Sequence, residues 1–237
     1  MTIDTTLLQD TALAFGVELG GEALERFDTC AKLLIERNKT MNLTSVTEPG
    51  EIVAKHFADS LSLIPFLRPL AGRHLIDVGT GAGFPGIPLL IANPALEITF
   101  LDATKKKVDF LAEVLRELGL EAHLLCLRAE EAGRDRAHRD RYDIAVARAV
   151  ANLRELCEYC LPLVKPGGCF AAMKGPGGAD EAAQAENAAA RLGAVPVSRK
   201  SFILEGAGER TLLAYRKISA TDERFPRRGG KIAKSPL

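Results

Sequence analysis

The sequence predicts an α/β protein with a mostly parallel sheet and a helical segment in front of it. Short apolar strands alternate with amphipathic helices from residue 74 onward, and a glycine-rich loop joins the first strand to its helix. About 65 residues with helical apolar spacing precede that strand. Two β-rich runs near the C-terminus are joined by residues 205–209, which predicts an antiparallel hairpin at the sheet edge.

The N-terminal part of the chain is predicted to be entirely helical. Apolar residues recur at helical spacing over residues 5–15, 22–38 and 49–66. The polar link at residues 41–45 is too short to separate two domains. We therefore expect residues 1–70 to form an N-terminal helical cap.

Strand and helix patterns then alternate, as expected for a parallel sheet covered on both faces. The predicted strands are 74–78, 97–101, 123–127, 142–146, 169–173, 195–204 and 210–217, and the helices between them are 86–92, 105–118, 152–163 and 180–192. Residues 71–218 are thus the expected sheet domain. Residues 219–237 are rich in Pro, Gly and basic side chains without periodicity, which indicates a basic C-terminal tail.

Composition fits a folded protein and leaves a nucleic-acid partner possible. The 237 residues are 47% hydrophobic and 26% charged, proportions that exclude a disordered chain or a disulfide-dense miniprotein. Basic and acidic residues number 31 each, but residues 1–70, 71–203 and 204–237 carry net charges of −4, 0 and +4. The zero total therefore hides a basic C-terminus.

Cysteine usage and the N-terminus predict a soluble, cytoplasmic protein. Five scattered cysteines do not resemble a disulfide framework, and the Cys157-x-x-Cys160 pair has no second pair to complete a zinc site. We interpret both thiols as buried and predict no metal. The N-terminus has no basic stretch and no apolar core, so no signal peptide is predicted. The uncharged residues 78–96 contain too many Gly and Pro residues for a membrane helix.

The glycine-rich loop predicts a nucleoside-binding site. Residues 75–86 follow a strand and open a helix, and Gly79, Gly81 and Gly83 let the backbone approach a ligand closely. Asp102 ends the next strand, 23 residues beyond Gly79. A carboxylate at that position can accept hydrogen bonds from ribose hydroxyls.

The loop favours S-adenosylmethionine over a dinucleotide. Gly81-x-Gly83-x-x-Gly86 satisfies the dinucleotide pattern, but that match alone is weak. Asp77 would repel a pyrophosphate, whereas it can orient the amino group of a methionine moiety. A helical cap before the sheet is also atypical of a simple dinucleotide fold. The chain lacks the G-x-x-x-x-G-K-[ST] sequence, which excludes a P-loop.

Motifs along nearly the whole chain closely resemble the RsmG (GidB) family of bacterial small-subunit rRNA methyltransferases. They are Asp77–Leu89, Asn42-Leu43-Thr44, His56-x-x-Asp59-Ser60-Leu61, Leu101-Asp102-Ala103-x-Lys105-Lys106, Arg128-Ala129-Glu130-Glu131, Arg148-Ala149-Val150-Ala151, Met173-Lys174-Gly175, Phe225–Gly230 and Pro236-Leu237. Ala103 and Phe225 stand where the family more often has Ser and Tyr. Neither departure removes a group that the chemistry requires.

The resemblance implies a Rossmann-like class I methyltransferase with a seven-stranded, mostly parallel sheet and a C-terminal antiparallel hairpin. It implies transfer of a methyl group from S-adenosylmethionine to N7 of guanine 527 in 16S rRNA. The expected cofactor-binding residues share the carboxyl ends of the strands. They are Gly79, Gly81, Gly83, Phe84, Asp102 at the ribose, Ala129 and Glu130 at the adenine, and Arg148.

Guanine N7 carries a lone pair and no proton, so methyl transfer to it requires no general base. We therefore predict no catalytic acid or base, and expect catalysis to come from in-line positioning. The hypothesis for the substrate opening is a set of polar residues: Asn42, His56, Asp59, Lys174, Arg227 and Arg228. Each has an ordinary structural alternative, such as a buried core histidine for His56 or a turn residue for Asn42.

Basic runs are open to two interpretations. Lys105–Lys107 open a helix, where positive charge opposes the helix dipole, so they could contact phosphate, although a solvated face is the favoured interpretation. Residues 134–141 alternate basic and acidic side chains and are interpreted as a solvated loop. The tail from residue 224 to 237 has five basic groups and no acidic one, which suits an arm laid along RNA or a disordered end.

Two alternatives remain open from the sequence alone. One is an NAD-dependent oxidoreductase, although no His or Tyr suited to hydride transfer follows the glycine loop. The other is a non-catalytic nucleoside-binding or rRNA assembly factor. The expected partner is 16S rRNA in the small ribosomal subunit or its precursor, with no membrane contact, and the expected oligomeric state is a monomer.

Overall fold

The structure, a computed structural model, describes residues 2–237. Before the first strand, the described chain forms five helices and one π-helical turn. These are α1 (Thr5–Ala14), α2 (Gly21–Met41), α3 (Pro49–Ile52), the π-helical turn (Val53–Ala58), α4 (Asp59–Leu61) and α5 (Leu63–Leu67). The predicted helix over residues 49–66 is therefore present but is divided by a π-helical turn, a feature that is frequent at functional sites.

Local sequence explains where the first two helices begin and which faces they bury. Asp4 caps α1, since its carboxylate accepts a hydrogen bond from the backbone N–H of Leu7 at 3.0 Å. On α2, Phe27, Ala31 and Leu34 lie on one face and are buried. α2 contacts the helices over residues 86–92 and 105–118, and its buried face belongs to the same hydrophobic cluster, so apolar contact anchors the cap.

Seven strands form one sheet with the order β3-β2-β1-β4-β5-β7-β6. The strands are β1 (His74–Val78), β2 (Glu97–Leu101), β3 (His123–Leu125), β4 (Tyr142–Arg148), β5 (Val164–Lys174), β6 (Ala194–Leu204) and β7 (Gly208–Lys217). β1 to β5 pair in parallel, whereas β7 pairs antiparallel with both β5 and β6. The predicted fold class is confirmed.

The remaining helices connect the strands or follow the last one. They are α6 (Gly86–Ala92), α7 (Lys105–Leu118), α8 (Ala129–Ala132), α9 (Leu153–Cys160), α10 (Gly178–Arg191) and α11 (Gly229–Lys234). β1, β2, α6 and α7 have the predicted bounds. The sequence pattern did not predict α8 or α11, and β5 begins five residues before its predicted start at Cys169.

The sheet separates two hydrophobic clusters. One contains cap residues such as Phe27 and Phe57 together with Phe100 of β2. The other contains Phe170 of β5 and Phe225 of the tail. Because the cap, the sheet and the tail share these clusters, residues 1–70, 71–218 and 219–237 are segments of one packed body.

The tail is folded against the sheet domain instead of extending as an arm. Phe225 and Ile232 are buried. Two arginines of the sheet domain donate hydrogen bonds to carbonyl oxygens of the tail. Arg134 Nε donates to the Pro226 oxygen at 2.7 Å, and Arg139 donates to the Phe225 oxygen at 2.8 Å. The interpretation as a solvated loop was therefore wrong for Arg139, which is half-buried, whereas Arg134 is exposed and also contacts the tail. Their partners lie about 90 residues away, beyond the reach of a local sequence pattern.

Arg227 ties the tail to α9 through an ion pair with Glu158. The guanidinium donates to both carboxylate oxygens, at 2.9 Å and 2.6 Å, and the backbone N–H of Arg227 donates to the same carboxylate at 2.7 Å. The Glu158 side chain has no solvent exposure. A buried carboxylate of this kind needs its partner, because an unpaired charge in the interior is strongly destabilising.

We expect the Arg227→Ala variant to lose roughly 3–5 kcal/mol of unfolding free energy, because Glu158 would stay buried without its counter-ion. Urea denaturation followed by circular dichroism measures this loss. The matched control is Arg224→Ala, which removes an exposed pair with Asp222 in the same tail and should cost less than about 1 kcal/mol. Equal effects of the two substitutions would contradict the assignment of Arg227 as the tail anchor.

Candidate functional site

The glycine loop after β1 brings the backbone close to neighbouring segments. Gly79 and Gly81 have φ values of +69° and +62°, a region that glycine adopts without strain. A Cβ on Gly79 would lie 2.6 Å from a methyl group of Val150. Gly83 has a packing role, because a Cβ there would lie 2.5 Å from Ile87 and 2.9 Å from Leu111.

The buried carboxylate of Asp77 holds this loop in place through hydrogen bonds. Its Oδ2 accepts hydrogen bonds from the Thr80 hydroxyl at 2.7 Å and the Gly86 backbone N–H at 2.9 Å. Its Oδ1 is buried and has no hydrogen-bond partner within residues 2–237. Burial raises the pKa of Asp77 to about 6, although the two hydrogen bonds act in the opposite direction. A buried acceptor without a partner is expected to serve a ligand or a water molecule.

A cavity of about 610 Å³ opens at the carboxyl ends of β1 and β2. We call it the first cavity. Its volume lies within the range of roughly 300–1,000 Å³ that is usual for small-molecule sites. It is lined by Val78, Gly79, Leu101, Asp102, Ala103, Lys107, Leu127, Arg128, Ala129, Glu130, Ala149, Val150, Ala151, Glu155, Tyr159, Gly229, Gly230 and Ala233.

Asp102 is fixed in orientation at the wall of the first cavity. One carboxylate oxygen accepts from the Gly81 backbone N–H at 3.0 Å, and the other accepts from the Thr104 backbone N–H at 2.8 Å. Lys107 lies 3.6 Å from the carboxylate. Each carboxylate oxygen has two lone-pair sites, so Asp102 keeps acceptor capacity for a ligand.

Four of the eight predicted cofactor residues line the first cavity, namely Gly79, Asp102, Ala129 and Glu130. The other four, Gly81, Gly83, Phe84 and Arg148, are not in its lining. Phe84 is buried, with its ring stacked on that of His56 at a centroid distance of 4.4 Å. The Arg148 guanidinium lies 5.2 Å from the centre of the Phe84 ring.

A second cavity of about 430 Å³ lies beside the first, and Ala149 borders both. The second cavity is lined by Val46, Lys55, His56, Asp59, Arg148, Ala149, Met173, Lys174, Gly175, Glu181 and Arg210. Ala149 has a φ of +55°, which is uncommon for a residue other than glycine. The backbone between the two cavities is therefore held in a sparsely populated conformation, of the kind that clusters at functional sites.

Asp59 is bound between two arginines at the second cavity. Arg148 donates to Oδ2 at 3.0 Å, and Arg210 donates to Oδ1 at 2.9 Å. The side chain of Asp59 is only 4% exposed. Arg210 is a site residue that the sequence reasoning missed. It lies 151 residues from Asp59, and no local pattern on β7 points to it.

His56 is held as a neutral imidazole. Burial, together with the positive charge of Arg148, lowers its pKa to about 4. Nε2 lies 2.9 Å from the Thr44 hydroxyl, and Nδ1 lies 3.2 Å from the Lys55 carbonyl oxygen. With both ring nitrogens engaged, His56 is a positioned polar group in the wall of the second cavity.

The remaining substrate candidates lie in different surroundings. Lys174 lines the second cavity and donates to the Ala151 oxygen at 2.9 Å, with Glu181 2.8 Å away. Asn42 is exposed and ends α2 in the left-handed conformation, and it is not in the lining of either cavity. Arg227 is engaged by Glu158, so the geometry gives no support to a substrate role for it, whereas Arg228 is exposed.

Lysines at the start of α7 have partners within the protein. Lys106 donates to the Met41 oxygen at 3.1 Å, and Lys105 pairs with Asp109. Cys157 and Cys160 are free, fully buried thiols, and burial raises the pKa of both. Within residues 2–237, no group of three or more His, Cys, Asp or Glu side chains is placed to hold a metal ion. No helix in that range is long and apolar enough to cross a membrane.

Solved methyltransferase structures share this fold. An S-adenosylmethionine-dependent O-methyltransferase of Thermotoga maritima matches with a TM-score of 0.53 and 15% identity, over 80% of this chain and 72% of that one. A 16S rRNA (adenine(1408)-N(1))-methyltransferase of Catenulisporales acidiphilia matches with a TM-score of 0.54 and 14% identity, over 65% of this chain and 89% of that one. The fold is therefore that of the class I methyltransferases that use S-adenosylmethionine.

The particular family follows from the sequence. Residues 23–213 match the GidB family model, described as rRNA small subunit methyltransferase G. A protein of Pelotomaculum thermopropionicum named Ribosomal RNA small subunit methyltransferase G is 42% identical, with 100% of both chains covered. A protein of the same name from Alkaliphilus metalliredigens is 43% identical over 98% of each chain. The chain belongs to this family, which confirms the resemblance and decides against an NAD-dependent oxidoreductase.

The residues of the first cavity fit the family's cofactor. Asp102 offers carboxylate acceptors for ribose hydroxyls, and Gly79 lines the cavity at the strand end. Asp77, whose Oδ1 has no hydrogen-bond partner within residues 2–237, is fully buried behind the loop and is not in the lining of either cavity. When bound, S-adenosylmethionine supplies a methyl group on a sulfonium sulfur.

We expect His56 to make the stability of the protein depend on pH. Its folded-state pKa is depressed, so its contribution is fully present above pH 6.5 and is lost as the pH falls through about 4. Between pH 7 and pH 4.5, the unfolding free energy of a His56→Gln variant should fall by about 2 kcal/mol less than that of the wild type. Urea denaturation at the two pH values measures the difference.

Asp77 changes the unfolding free energy with pH in the opposite direction. Its pKa is raised in the folded state, so its contribution to stability is lost as the pH rises through about 6. Only the difference between wild type and variant isolates the effect of His56. His123→Gln, at an exposed site on β3, is the matched control and should follow the wild-type pH profile. A His56→Gln profile parallel to that of the wild type would contradict the depressed pKa.

Proposed function

We propose that the protein transfers the methyl group of S-adenosylmethionine to N7 of guanine 527 in 16S rRNA, within the small ribosomal subunit or its precursor. The observation that carries the proposal is the pair of cavities that meet at Ala149. One fits a nucleoside cofactor, and the other is lined by basic and polar side chains. The same proposal includes cytoplasmic action, which the ribosomal names of the relatives support, and a monomeric state.

The first cavity would hold the cofactor, with its adenosine along β2 and α8. Asp102 would accept from the ribose hydroxyls, and Ala129 and Glu130 would flank the adenine, as the family resemblance implies. The methionine part would then lie toward the glycine loop, where Asp77 and Gly79 are. This arrangement follows the general rule that ligands of open α/β sheets bind at the carboxyl ends of strands, where the strand order reverses. Here that reversal lies between β1 and β4.

The second cavity would receive the target base. Its four basic side chains outnumber its two carboxylates, with His56 neutral, so the lining carries a net positive charge. The Hoogsteen edge of guanine presents O6 and N7 as acceptors, and arginine is its most frequent partner. One terminal nitrogen of Arg210 makes no hydrogen bond to any residue in the range 2–237 and can donate to O6. Arg148 and Asp59 would hold Arg210 in position.

The chain needs to position the base but does not need to deprotonate it. N7 carries a lone pair and no proton, so no residue has to act as a general base. His56 fits this requirement, since it is neutral and both of its nitrogens are engaged within the fold. Alignment of N7 with the methyl group, fixed by the cavity walls, can contribute up to roughly 7–11 kcal/mol.

Methyl transfer to small subunits that lack the modification tests the proposed function directly. We expect labelled methyl groups to appear at N7 of guanine 527 when labelled cofactor, purified protein and such subunits are incubated together. Mapping the label by mass spectrometry of nuclease fragments identifies the nucleotide. Label at another nucleotide would refute the substrate, and no label with free rRNA, precursor particles or mature subunits would favour a non-catalytic assembly factor.

We expect Asp102→Asn to weaken binding of S-adenosylhomocysteine by about 10–100-fold, because hydrogen bonds to a charged acceptor contribute roughly 1.5–3 kcal/mol. Isothermal titration calorimetry measures the dissociation constant. Asp109→Asn, seven residues further on the exposed side of α7, makes the same chemical change away from the cavity and should leave binding unchanged. Unchanged affinity of the Asp102 variant would remove Asp102 from the cofactor site.

A substitution of Arg210 should impair RNA recognition without changing cofactor binding. Arg210→Gln should lower methyl transfer to the subunit by about 10–100-fold, the range expected when one base contact of roughly 1–3 kcal/mol is lost. Its affinity for S-adenosylhomocysteine should equal that of the wild type. Arg216→Gln, exposed on the same strand, is the control. Equal transfer rates for the wild type and Arg210→Gln would exclude this residue from the substrate site.

A further inference from the structure

The end of the chain takes part in the first cavity. Gly229, Gly230 and Ala233, all in α11, share the lining with Ala129 and Glu130. From the sequence, this segment was expected to be an arm along RNA or a disordered end, and the match to the family model ends at residue 213, before it. We propose that residues 225–234 form a wall of the cofactor site, so that docking of the tail and binding of the adenosine moiety are thermodynamically coupled. This inference rests on the proposed placement of the cofactor in the first cavity.

Contact between the tail and Glu130 is unusually close. A Cβ on Gly229 would lie 2.1 Å from Oε1 of Glu130 and 2.8 Å from its Cδ. A Cβ at this position would force the Glu130 carboxylate to turn away from α11. The backbone of α11 is therefore pressed against the carboxylate of a residue that we place beside the adenine.

Three contacts hold residues 225–234 in place. Arg227 is paired with the buried Glu158 of α9, and α9 also contributes Glu155 and Tyr159 to the cavity. Arg134 donates to the Pro226 oxygen at 2.7 Å. Ile232, on the inner face of α11, has no solvent exposure. These contacts fix the tail on the same helix that supplies part of the cavity lining.

Coupling follows from the position of these contacts. Chain termini open more readily than the core, and opening of the tail would remove part of the cofactor site. A ligand that binds only the docked state stabilises that state by a factor of 1 + [L]/Kd. Linkage is reciprocal, so a change that undocks the tail must weaken the ligand. Because the wall lies beside Glu130, the adenosine part of the ligand should carry the effect.

Native-state hydrogen exchange of the full-length protein tests the coupling. The probes are the backbone amides of Lys231, Ile232 and Ser235, which are hydrogen-bonded within the tail. With S-adenosylhomocysteine at 100 times its Kd, their exchange through tail opening should slow by up to about 100-fold. Adenosine should protect them as well, whereas methionine should not. Amides of α1, which contributes no residue to the cavity, are the internal control.

A point substitution gives an independent test. Gly229→Ala displaces the Glu130 carboxylate from its place beside the proposed adenine position, so it should weaken the binding of S-adenosylhomocysteine about tenfold, equivalent to about 1.4 kcal/mol. Gly50→Ala, also within the first two positions of a short helix, adds a methyl group with no atom within 4 Å and should bind as the wild type does. If Gly229→Ala does not fold, the exchange measurement on the wild type decides the question.

The outcomes separate this inference from the proposed function. If the wild type does not bind S-adenosylhomocysteine, the proposed function fails. If the wild type binds it, but tail exchange is unchanged and Gly229→Ala binds equally well, only the tail assignment is overturned. Slower tail exchange with adenosine, together with weaker binding by Gly229→Ala, supports the tail as a wall of the site.

Discussion

The parallel pairing of β1 with both β2 and β4 is the constraint on which the rest of the structure depends. It places the ends of all three strands at one edge, so that Gly79, Asp102 and Arg148 lie near one another although they are far apart in the chain. Because the strand order reverses at β1, the connections on its two sides leave a crevice at that edge. Both cavities open there, and Ala149, directly after β4, lies between them.

Ion pairs then hold the cap and the tail beside the two cavities that the sheet topology places at the strand ends. Asp59 of the cap is held by Arg148 at the end of β4 and by Arg210 of β7, so the cap is fastened over the second cavity. Arg227 and Glu158 do the same for the tail beside the first cavity. In both cases a nearly buried carboxylate receives two or more hydrogen bonds from guanidinium groups, an arrangement that offsets the cost of burying the charge. The two cavities thus owe their outer walls to ion pairs between distant segments.

The local sequence pattern predicted the strands of the sheet well, but it did not predict which segments form the outer walls of the two cavities. The difference has a physical reason. β1 and β2 are short apolar runs bounded by glycine or polar residues, so periodicity and turn chemistry determine their bounds. Gly79 and Asp102, which line the first cavity, could be singled out from the sequence because they follow those strands directly. Arg210 and the tail have no such signal, since long-range contacts determine their places. Gly229-Gly230 even favours disorder as a sequence, and only the close contact with Glu130 explains why a glycine stands at position 229.

A crystal structure of the protein with S-adenosylhomocysteine and a guanine nucleotide tests the central claim most directly. The account predicts the ribose within hydrogen-bonding distance of Asp102, the adenine beside Glu130, and the guanine in the second cavity. N7 should then face the sulfur across Ala149. A cofactor bound outside the first cavity, or a guanine whose N7 points away from the sulfur, would contradict the account.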